Sequence, residues 1–249
     1  MAVEGMAGLA KGLAVLEAFG DSTPRLTISD ASRATGLSRA TARRCLNTLT
    51  ELGYVTFDGK FFAPTPRVLR IGATYGESAA LPQLAQPHLA AIRDATDESA
   101  SLAVRYDNES LFIARSEGTR LIDNGIRVGA RLPLYASSTG QVLLGALDST
   151  ELTDYLAAAP FPARTPGTPT TAAEVDDRVR AVRAAGMAIN SEELELGLLS
   201  IAVPVHDPAG QLVGAISVSA SSSRVTVDEL RDRVAPVMQQ HAAALGRKL

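Results

Sequence analysis

Two short helical segments separated by a glycine turn are the feature that most constrains how this chain can fold. The first segment begins at Thr27 or Ser29, which both suit an N-cap, and it ends at Gly36. The second begins after Ser38 and ends at Gly53. Two short helices joined by a turn of about three to four residues form the helix-turn-helix unit. The spacing therefore predicts a helix-turn-helix.

The second of these helices concentrates positive charge on one side. Its predicted apolar row consists of Ala42, Cys45 or Leu46, Leu49 and Leu52. Arg39, Arg43 and Arg44 then face away from the core, and no acidic residue follows them until Glu51. The N-terminal half of a recognition helix enters the major groove of DNA, where arginine can contact guanine or neutralise phosphate. A solvated basic face is the alternative, but the helix-turn-helix frame favours DNA binding.

The predicted DNA contacts lie on this helix and just beyond it. They are Ser38, Arg39, Ala40, Thr41, Arg43, Arg44, Asn47 and Lys60. Arg39 and Arg43 are one helical turn apart, and we expect them to reach base edges. Arg44 is rotated toward the flank of the helix, where a contact with a backbone phosphate is favoured.

After the recognition helix the pattern changes to two short strands, in the stretch YVTFDGKFFAPT. Asp58-Gly59 between the strands indicates a two-residue type I′ turn. A hairpin in this position is the wing of a winged helix-turn-helix, and Lys60 beside its tip is expected to contact phosphate. A helix predicted over residues 6–19 precedes the two short helices and carries an apolar row. That row consists of Leu9, Ala10, Leu13 and Leu16.

The chain is predicted to contain two domains joined by a linker helix. The domains are a DNA-binding domain at residues 1–65, a linker helix at 66–82 and an effector-binding domain at 83–249. Leu81-Pro82 is expected to end the linker helix, which is also a plausible dimer contact. A second helix is expected from about Gln83 to Thr96.

Charge is distributed unevenly between the two ends of the chain. The 249 residues carry a net charge of −3, but residues 25–70 hold eight basic and three acidic side chains, a net charge of +5. Residues 81–249 hold 15 basic and 20 acidic side chains, a net charge of −5. A basic N-terminal region joined to an acidic remainder suggests a polyanion-binding head and a body that binds something else.

The body is predicted to have an α+β fold. Strand-like segments are SASLAVRY, ESLFIARSE, TRLIDNGIRVG, SIAVPVHD and LVGAISVSA, and Asp107-Asn108 is the turn between the first two. Helix-like segments interrupt them, and a last helix is expected from Val227 to Leu245. Helices interrupting an antiparallel sheet are similar to a GAF- or PAS-like ligand-sensing module.

The cellular setting is expected to be the cytoplasm. Cys45 is the only cysteine, so the chain has no internal disulfide, and a packed core thiol is the favoured role for it. The apolar first twenty residues lack a basic leader and carry charges, which favours a helix of the mature protein over a signal peptide. No run of apolar residues is long enough to predict a membrane span.

The sequence contains no motif that predicts a catalytic or metal-binding site. His88, His206 and His241 are far apart in sequence and lie near no metal-ligand pattern, so neither a metal nor a cofactor is expected. A run of acids could supply catalytic carboxylates, although a solvated loop before a strand is the favoured interpretation. This run contains Glu192, Glu193 and Glu195. We therefore predict that the protein is not an enzyme.

One segment of the body suggests a small-molecule site. Residues 137–139 put three hydroxyls at the start of a helix, where free N–H groups and the helix dipole favour a carboxylate. Ser217 and Ser219 alternate along one strand face, with Val218 on the other. Such a pocket would suit a small organic acid. Ordinary helix capping and solvent-facing serines remain the alternative.

The whole chain resembles an IclR-family transcriptional regulator. The resemblance is carried, in order, by TGLSRATARRCLNTLTELGYV, PLYASSTGQVLLG, AINSEELELGLLSIAVPV and AISVSASSSRVT. The stretches FAPTPRVLRIG, LPQLAQPHL and LELGLLSIAVPVHD further resemble the branch that controls protocatechuate, 4-hydroxybenzoate and β-ketoadipate catabolism. The family implies a winged helix-turn-helix, a linker helix and an effector-binding domain. It also implies a homodimer and often a homotetramer.

The same resemblance implies an effector pocket. The positions that align with ligand contacts are Leu121, Ser138, Thr139, Asn190, Ser200, Ser217 and Ser219. Asn190 stands where many relatives have an acid, and Ser200 where some have cysteine, which favours a more anionic or larger ligand. A guanidinium could pair with the ligand's carboxylate, from Arg115, Arg127 or Arg131, although a surface or structural role is as plausible for each.

These features predict a cytoplasmic transcription factor that binds a palindromic double-stranded DNA operator as a dimer or a dimer of dimers. Its expected effector is a small organic acid, aromatic or dicarboxylic, and its target genes would serve aromatic-acid catabolism. Three alternatives stay open: a regulator that senses glyoxylate or pyruvate, an enzyme with an appended DNA-binding head, and a sensor that acts through protein partners. The sequence does not distinguish an activator from a repressor.

Overall fold

The computed structural model describes residues 5–20, 23–118, 126–158 and 160–249. The chain forms two compact units that divide between Ser78 and Ala79. Each unit has its own hydrophobic core, and each is taken separately below.

The head unit is a winged helix-turn-helix. Its elements are α1 (Ala7–Glu17), α2 (Ile28–Thr35), α3 (Arg39–Glu51), β1 (Val55–Phe57) and β2 (Phe62–Pro64). Thr27 and Asp30 form a reciprocal capping box at the start of α2, and Gly36 ends that helix with a φ of 69°. Ser38 caps α3 by accepting the backbone N–H of Thr41. The predicted helix-turn-helix is thus confirmed.

The head core is small and comes from every element of the unit. Its buried residues are Val15, Leu26, Ala31, Ala42, Leu46, Val55 and Phe62. The helix predicted over residues 6–19 forms, and of its apolar row Leu16 packs against this core, whereas Leu9 and Leu13 are 61% and 48% exposed and Val15 is buried instead. Leu52 at the end of α3 is also exposed. The periodicity identified a helix, but α1 packs its Val15 side on the core and leaves an apolar side uncovered.

The wing hairpin forms with a different turn from the one predicted. Phe57 pairs with Phe62, and the backbone N–H of Asp58 donates to the carbonyl oxygen of Phe61, so Gly59 and Lys60 are the central residues. Gly59 has a φ of 101°, whereas Lys60 does not have a positive φ. A type I′ turn needs positive φ at both central residues, so the predicted Asp58-Gly59 type I′ turn is wrong. The Asp58 carboxylate instead accepts the N–H groups of Lys60 and Phe61.

A 3₁₀ turn (Pro66–Val68) follows the wing and leads into α4 (Leu69–Ser78). Helix α5 (Ala80–Thr96) starts two residues later, so the predicted helix end at Leu81-Pro82 is wrong. Pro82 lies in the first turn of α5, where its missing N–H has no helical partner to lose.

The body unit is built on one antiparallel sheet of six strands in the order β5-β4-β3-β8-β7-β6. The strands are β3 (Ser99–Tyr106), β4 (Glu109–Ser116), β5 (Arg131–Pro133), β6 (Ala188–Ser191), β7 (Leu198–His206) and β8 (Leu212–Ser221). The helices are α6 (Ser138–Gly145), α7 (Ser149–Ala157), α8 (Ala172–Ala185), α9 (Val227–Glu229) and α10 (Ala235–Gly246), with a 3₁₀ turn at Leu134–Ala136 and a π-helical segment at Leu230–Val234. The predicted α+β class is confirmed.

The two faces of the sheet meet different helices. Helices α5 and α10 cover one face, where the core includes Leu89, Ile201 and Met238. Helix α6 crosses the other face and is backed by α8. The second face carries small and polar side chains beside α6, which leaves it less tightly filled by apolar bulk.

One predicted strand of the body lies mostly outside the described residues, and its described part is not in a strand. The segment TRLIDNGIRVG covers residues 119–129, of which 119–125 lie outside the described residues, and 126–129 are not in a strand. Gly129 has a φ of 90°, and its N–H donates to the carbonyl oxygen of Phe112 in a turn. Strand β5 begins only at Arg131. Among the described residues, no helix combines the length and the apolar character that crossing a membrane requires.

Candidate DNA interface and effector site

The exposed side of α3 carries the predicted DNA contacts. Arg39, Ala40, Arg43, Arg44 and Asn47 are exposed, and Thr41 is half-buried. Ala42 and Leu46 are buried on the opposite side. Within the described part of the chain, none of the three arginines forms an ion pair. The guanidinium groups are therefore available to an anionic partner.

The hydroxyls at the start of α3 serve the helix itself. Ser38 Oγ accepts the N–H of Thr41 at 3.2 Å and lies 3.0 Å from Thr41 Oγ1. Substituting an N-cap serine by alanine costs about 1 kcal/mol. Ser38 and Thr41 thus fix the end of the helix that bears Arg39 and Arg43.

The wing presents two cations around one aromatic ring. Lys60 Nζ lies 4.9 Å from the centre of the Phe61 ring, and the Arg25 guanidinium carbon lies 5.0 Å from it. Hydrogen bonds from the backbone N–H groups of Phe61 and Lys60 hold the pKa of Asp58 below its ordinary value. Sequence reasoning named Lys60 but missed Arg25, because no local pattern links the α1–α2 loop to the wing.

The effector site is built around the buried start of α6. Ser137 caps this helix: its Oγ accepts the N–H of Gly140 at 3.1 Å and donates to the carbonyl oxygen of Pro133 at 2.8 Å. Gly140 has no space for a side chain, since a Cβ there would lie 2.3 Å from Leu134 Cα. The first turn of α6 is thereby pressed against the 3₁₀ turn that precedes it.

The next two hydroxyls of α6 tie the helix to the sheet. Ser200 Oγ on β7 donates to Ser138 Oγ at 2.9 Å, and Thr139 Oγ1 donates to Ser110 Oγ on β4 at 3.0 Å. Ser138, Thr139 and Ser110 are buried. The structure therefore brings the predicted residues Ser138, Thr139 and Ser200 together at one end of α6.

Cross-strand pairing places the predicted strand serines on the α6 face of the sheet. One row pairs Asn190, Ser200, Ser219 and Ser99 across β6, β7, β8 and β3. The adjacent row pairs Ala202, Ser217, Ser101 and Arg115 across β7, β8, β3 and β4. Val218 points to the other face and joins the core there. The alternation predicted for these strand residues is confirmed.

Ser217 and Ser219 carry hydroxyls without an internal hydrogen bond. The two residues are 7% and 8% exposed, and no hydrogen bond to either hydroxyl is present within the described residues. Neither hydroxyl oxygen is among the fully buried polar atoms that have no partner. Both hydroxyls therefore reach the accessible surface, where they are open to a polar ligand.

The three arginines suggested as carboxylate partners differ in their surroundings. The side chain of Arg115 is 4% exposed, and its Nη1 donates to Ser101 Oγ at 3.1 Å. Arg131 is exposed and pairs with Glu109 at 3.4 Å. Arg127 is also exposed. Arg115 alone among these three is buried on the serine-bearing face.

Asn190 uses its amide for internal contacts. Its Nδ2 donates to the carbonyl oxygen of Ala136 at 2.9 Å and to Glu193 Oε2 at 3.1 Å, and its Oδ1 accepts the N–H of Glu193. Both amide protons are thus occupied, and Asn190 ties β6 to the residue before the N-cap of α6. Leu121, the remaining predicted effector contact, lies outside the described residues.

Glu193 is a buried carboxylate, so the expectation of a solvated loop is wrong for this residue. It is 5% exposed and accepts from Gln141 Nε2 and Arg178 Nε, each at 2.7 Å. Burial raises the pKa of Glu193, although Arg178 and Gln141 oppose the shift. The run EELEL gave no sign of this, because the partners lie on α6 and α8, far away in sequence.

Two of the histidines meet in the body unit. His88 Nδ1 on α5 and His241 Nδ1 on α10 are 3.2 Å apart. Burial lowers the pKa of His88, and Lys248 and His241 lower it further. In the described ranges, no group of three or more histidine, cysteine or acidic side chains is arranged to hold a metal ion.

A winged helix-turn-helix with unpaired arginines, linked to an α+β unit with a buried polar site, defines a ligand-responsive DNA-binding regulator. Comparison with protein-family models agrees with this class. The IclR helix-turn-helix domain matches residues 8–59, and the C-terminal region of bacterial IclR transcriptional regulators matches residues 73–247. The chain belongs to the IclR family, whose members are transcription regulators rather than enzymes.

Individual relatives support the narrower resemblance. The chain is 43% identical to the Pca regulon regulatory protein of Pseudomonas putida, over 94% of this chain and 80% of that protein. It is 38% identical to the p-hydroxybenzoate hydroxylase transcriptional activator of Acinetobacter baylyi, over 96% of this chain and 90% of that one. An IclR homologue from Microbacterium hydrocarbonoxydans, solved with 4-hydroxybenzoate, aligns with a TM-score of 0.77 and 25% identity, over 96% of this chain and 98% of that one. The predicted family and branch are confirmed.

Proposed function

We propose that this chain is a cytoplasmic regulator of genes for aromatic-acid breakdown, which binds a small aromatic carboxylic acid and a palindromic DNA operator. The observation that carries the effector is the pair of neighbouring hydroxyls on Ser217 and Ser219, which have no hydrogen-bond partner within the described residues although both residues are largely buried. A polar ligand can hydrogen-bond to both hydroxyls without displacing an internal partner.

Arg115 is the proposed partner of the ligand's carboxylate. It shares a cross-strand row with Ser217 and is separated from it by Ser101, to which it already donates a hydrogen bond. Two strand spacings amount to ~10 Å. A hydroxylated benzoate carries polar groups at opposite ends of a ring and suits this separation, whereas glyoxylate and pyruvate have their polar atoms close together. The relatives named for Pca and p-hydroxybenzoate regulation, and the neighbour solved with 4-hydroxybenzoate, support the same choice.

We keep the predicted set of effector-site residues and assign different roles to its members. The set is Leu121, Ser138, Thr139, Asn190, Ser200, Ser217 and Ser219, now with Arg115. Ser217 and Ser219 contact the ligand directly. Asn190 acts by holding the start of α6, because both of its amide protons are already used.

The test is a thermal-shift panel on the full chain with 4-hydroxybenzoate, protocatechuate, β-ketoadipate, glyoxylate and pyruvate. A ligand at about 100 times its dissociation constant stabilises the fold by ~2.7 kcal/mol. We expect stabilisation by the aromatic acids. Stabilisation by glyoxylate or pyruvate alone would contradict the aromatic assignment, and turnover of any of these acids would contradict the regulator itself.

Serine variants locate the site within the body. Ser217→Ala and Ser219→Ala should each weaken binding of the active acid by roughly 5- to 150-fold, equivalent to ~1–3 kcal/mol. Ser149→Ala, at an exposed serine that starts α7, is the matched control and should bind normally. Equal binding by all three variants would show that the ligand lies elsewhere.

The DNA-binding function rests on the exposed arginines of α3. Arg39 and Arg43 read base edges, Arg44 contacts phosphate, and Ala40, Thr41, Asn47 and Ser38 line the same end of the helix. Arg43→Ala should weaken binding to the operator by ~1–3 kcal/mol and relax its sequence preference. Unchanged binding would exclude Arg43 from the interface.

A further inference from the structure

The wing and the loop before α2 are joined into one surface. The N–H of Leu26 donates to the carbonyl oxygen of Phe62 at 3.0 Å, and the N–H of Phe62 donates to that of Leu26 at 2.8 Å. Leu26 and Phe62 are both buried, so the joint belongs to the head core. Arg25 is therefore held beside the wing, although it lies 35 residues before Lys60.

The aromatic ring of Phe61 contacts both cations beside this joint. The Arg25 guanidinium carbon and Lys60 Nζ lie 5.0 Å and 4.9 Å from the centre of its half-buried ring. A cation over an aromatic face is attracted by the ring quadrupole, which limits the motion of a long side chain. Two like charges thus lie beside one aromatic ring on an exposed surface, and an anion there would be attracted by both.

Within the part of the chain that the structure describes, no acidic side chain forms an ion pair with Arg25 or Lys60. Asp58 is the acid that acts on Arg25 electrostatically, but its carboxylate accepts the N–H groups of Lys60 and Phe61 and forms no ion pair with either cation within the described residues. Arg33 differs, because it pairs with Asp30 at 3.4 Å. Like the arginines on α3, Arg25 and Lys60 therefore form no ion pair within the described residues.

We propose that Arg25 and Lys60 together bind the DNA backbone as a phosphate clamp beside the recognition helix, and that Phe61 is the positioning residue that holds both cations. The proposal rests on the DNA-binding function stated above. It adds Arg25 and Phe61 to Lys60, which the sequence already predicted to contact phosphate. Phosphate contacts fix the register of a protein on the duplex and carry no sequence information. Arg25 and Lys60 should thus act on every DNA sequence alike.

The salt dependence of DNA binding provides the test, because each phosphate neutralised by a protein cation lowers the slope of log K against log[salt] by ~0.9. Binding of the full chain to a random-sequence duplex is measured by fluorescence anisotropy over a range of NaCl concentrations. Arg25→Ala and Lys60→Ala should each reduce the magnitude of the slope by ~0.9 per bound head, which is ~1.8 for a dimer with both heads bound, and weaken binding roughly eightfold per head at 0.1 M salt. Arg25→Lys should keep the wild-type slope.

Two further variants separate positioning from charge. Phe61→Leu keeps both cations and should preserve the slope while weakening binding severalfold, since the cations lose their fixed positions. Arg33→Ala is the matched control, because it removes an ion-paired cation from α2 and should leave the slope near the wild-type value. Thermal unfolding of each variant identifies any that fails to fold, and Arg25→Gln then replaces Arg25→Ala.

The outcomes distinguish this proposal from the DNA-binding function itself. A slope for Arg25→Ala equal to that of Arg33→Ala, with wild-type protein bound to DNA, would overturn the clamp alone. A slope for Phe61→Leu reduced as far as in the charge-removing variants would overturn the positioning role. If the wild-type protein failed to bind any duplex at low salt, the proposed function would fail with it.

Discussion

At the scale of single residues, the remaining hydrogen-bonding capacity of a side chain decides its role more directly than its position in a motif. Asn190 and Ser219 lie in the same cross-strand row, and both belong to the set of residues proposed to form the effector site. Asn190 has used both amide protons on Ala136 and Glu193, whereas the Ser219 hydroxyl has no internal hydrogen bond within the described residues. The first therefore organises the site, and the second is open to a ligand.

Glu193 provides a pH-dependent prediction at the same scale. Burial raises its pKa, so the folded chain holds this proton more tightly than the unfolded chain does. Its contribution to the free energy of unfolding is therefore greatest below its ordinary pKa and declines as the pH rises through the raised value. Relative to the wild type, Glu193→Gln should gain stability as the pH rises above 4.5, the ordinary pKa of the carboxyl, in urea unfolding.

Glu174 is a matched control for this experiment. Hydrogen bonds from Thr170 and Thr171 lower the pKa of its carboxyl, so its contribution is present at high pH and lost as the pH falls. That change falls below pH 4.5, the ordinary pKa of the group, so above pH 4.5 the stability of Glu174→Gln relative to the wild type should stay constant with pH. Identical pH profiles for the two variants would show that Glu193 is not perturbed by burial.

At the scale of elements, the sequence predicted what local chemistry controls. The starts of α2 and α3 follow from Thr27 and Ser38, and the end of α8 follows from Gly186, whose φ is 66°. The residues that cap or end a helix act on neighbours within a few residues, so they can be predicted from the sequence alone. The central residues of the wing turn are Gly59 and Lys60, one residue later than the predicted Asp58-Gly59. The turn lies there because the Asp58 carboxylate accepts two backbone N–H groups.

Contacts between distant elements could not be predicted in the same way. Glu193 meets Gln141 across 52 residues, and the row that joins Ser217 to Arg115 exists only once the register of three strands is set. The same limit applies to Leu9 and Leu13, whose spacing shows an apolar side of α1 but not what covers it. The sequence identifies the serines at the start of α6 and on the strands as polar positions. That they share one face follows only from the pairing of the strands.

Helix α6 depends on close approach to the turn before it, which gives a prediction at the element scale. A Cβ on Gly140 would lie 2.3 Å from both Cα and the carbonyl oxygen of Leu134, and backbone atoms cannot yield. Gly140→Ala should destabilise the body by ~3 kcal/mol or more and abolish effector binding. Gly145→Ala, on the same helix, meets only the flexible side chain of Val182 at 3.2 Å and should cost less. Similar unfolding midpoints in urea would contradict this account of α6.

At the scale of the whole molecule, the uncovered apolar side chains of the head are where we expect the predicted homodimer to form its contact. Leu9 and Leu13 on α1 and Leu69, Ile71 and Tyr75 on α4 are about half to three-quarters exposed, between 48% and 73%. Exposed apolar surface of this kind marks an interaction site. A two-fold dimer of heads also matches a palindromic operator, because each half-site then receives one recognition helix.

Charge placed on this surface should separate the protomers. Leu13→Glu and Leu69→Glu change exposed positions, so each head should still fold, while a buried carboxylate in the dimer contact is strongly unfavourable. Sedimentation velocity should show a shift toward monomer, and the salt slope for duplex binding should fall to about half, since each particle then carries one head. Leu196→Glu, an equally exposed leucine between β6 and β7, is the matched control. If Leu196→Glu dissociates the protein and the two head variants do not, the protomers associate through the body, and the operator geometry must follow from that interface instead.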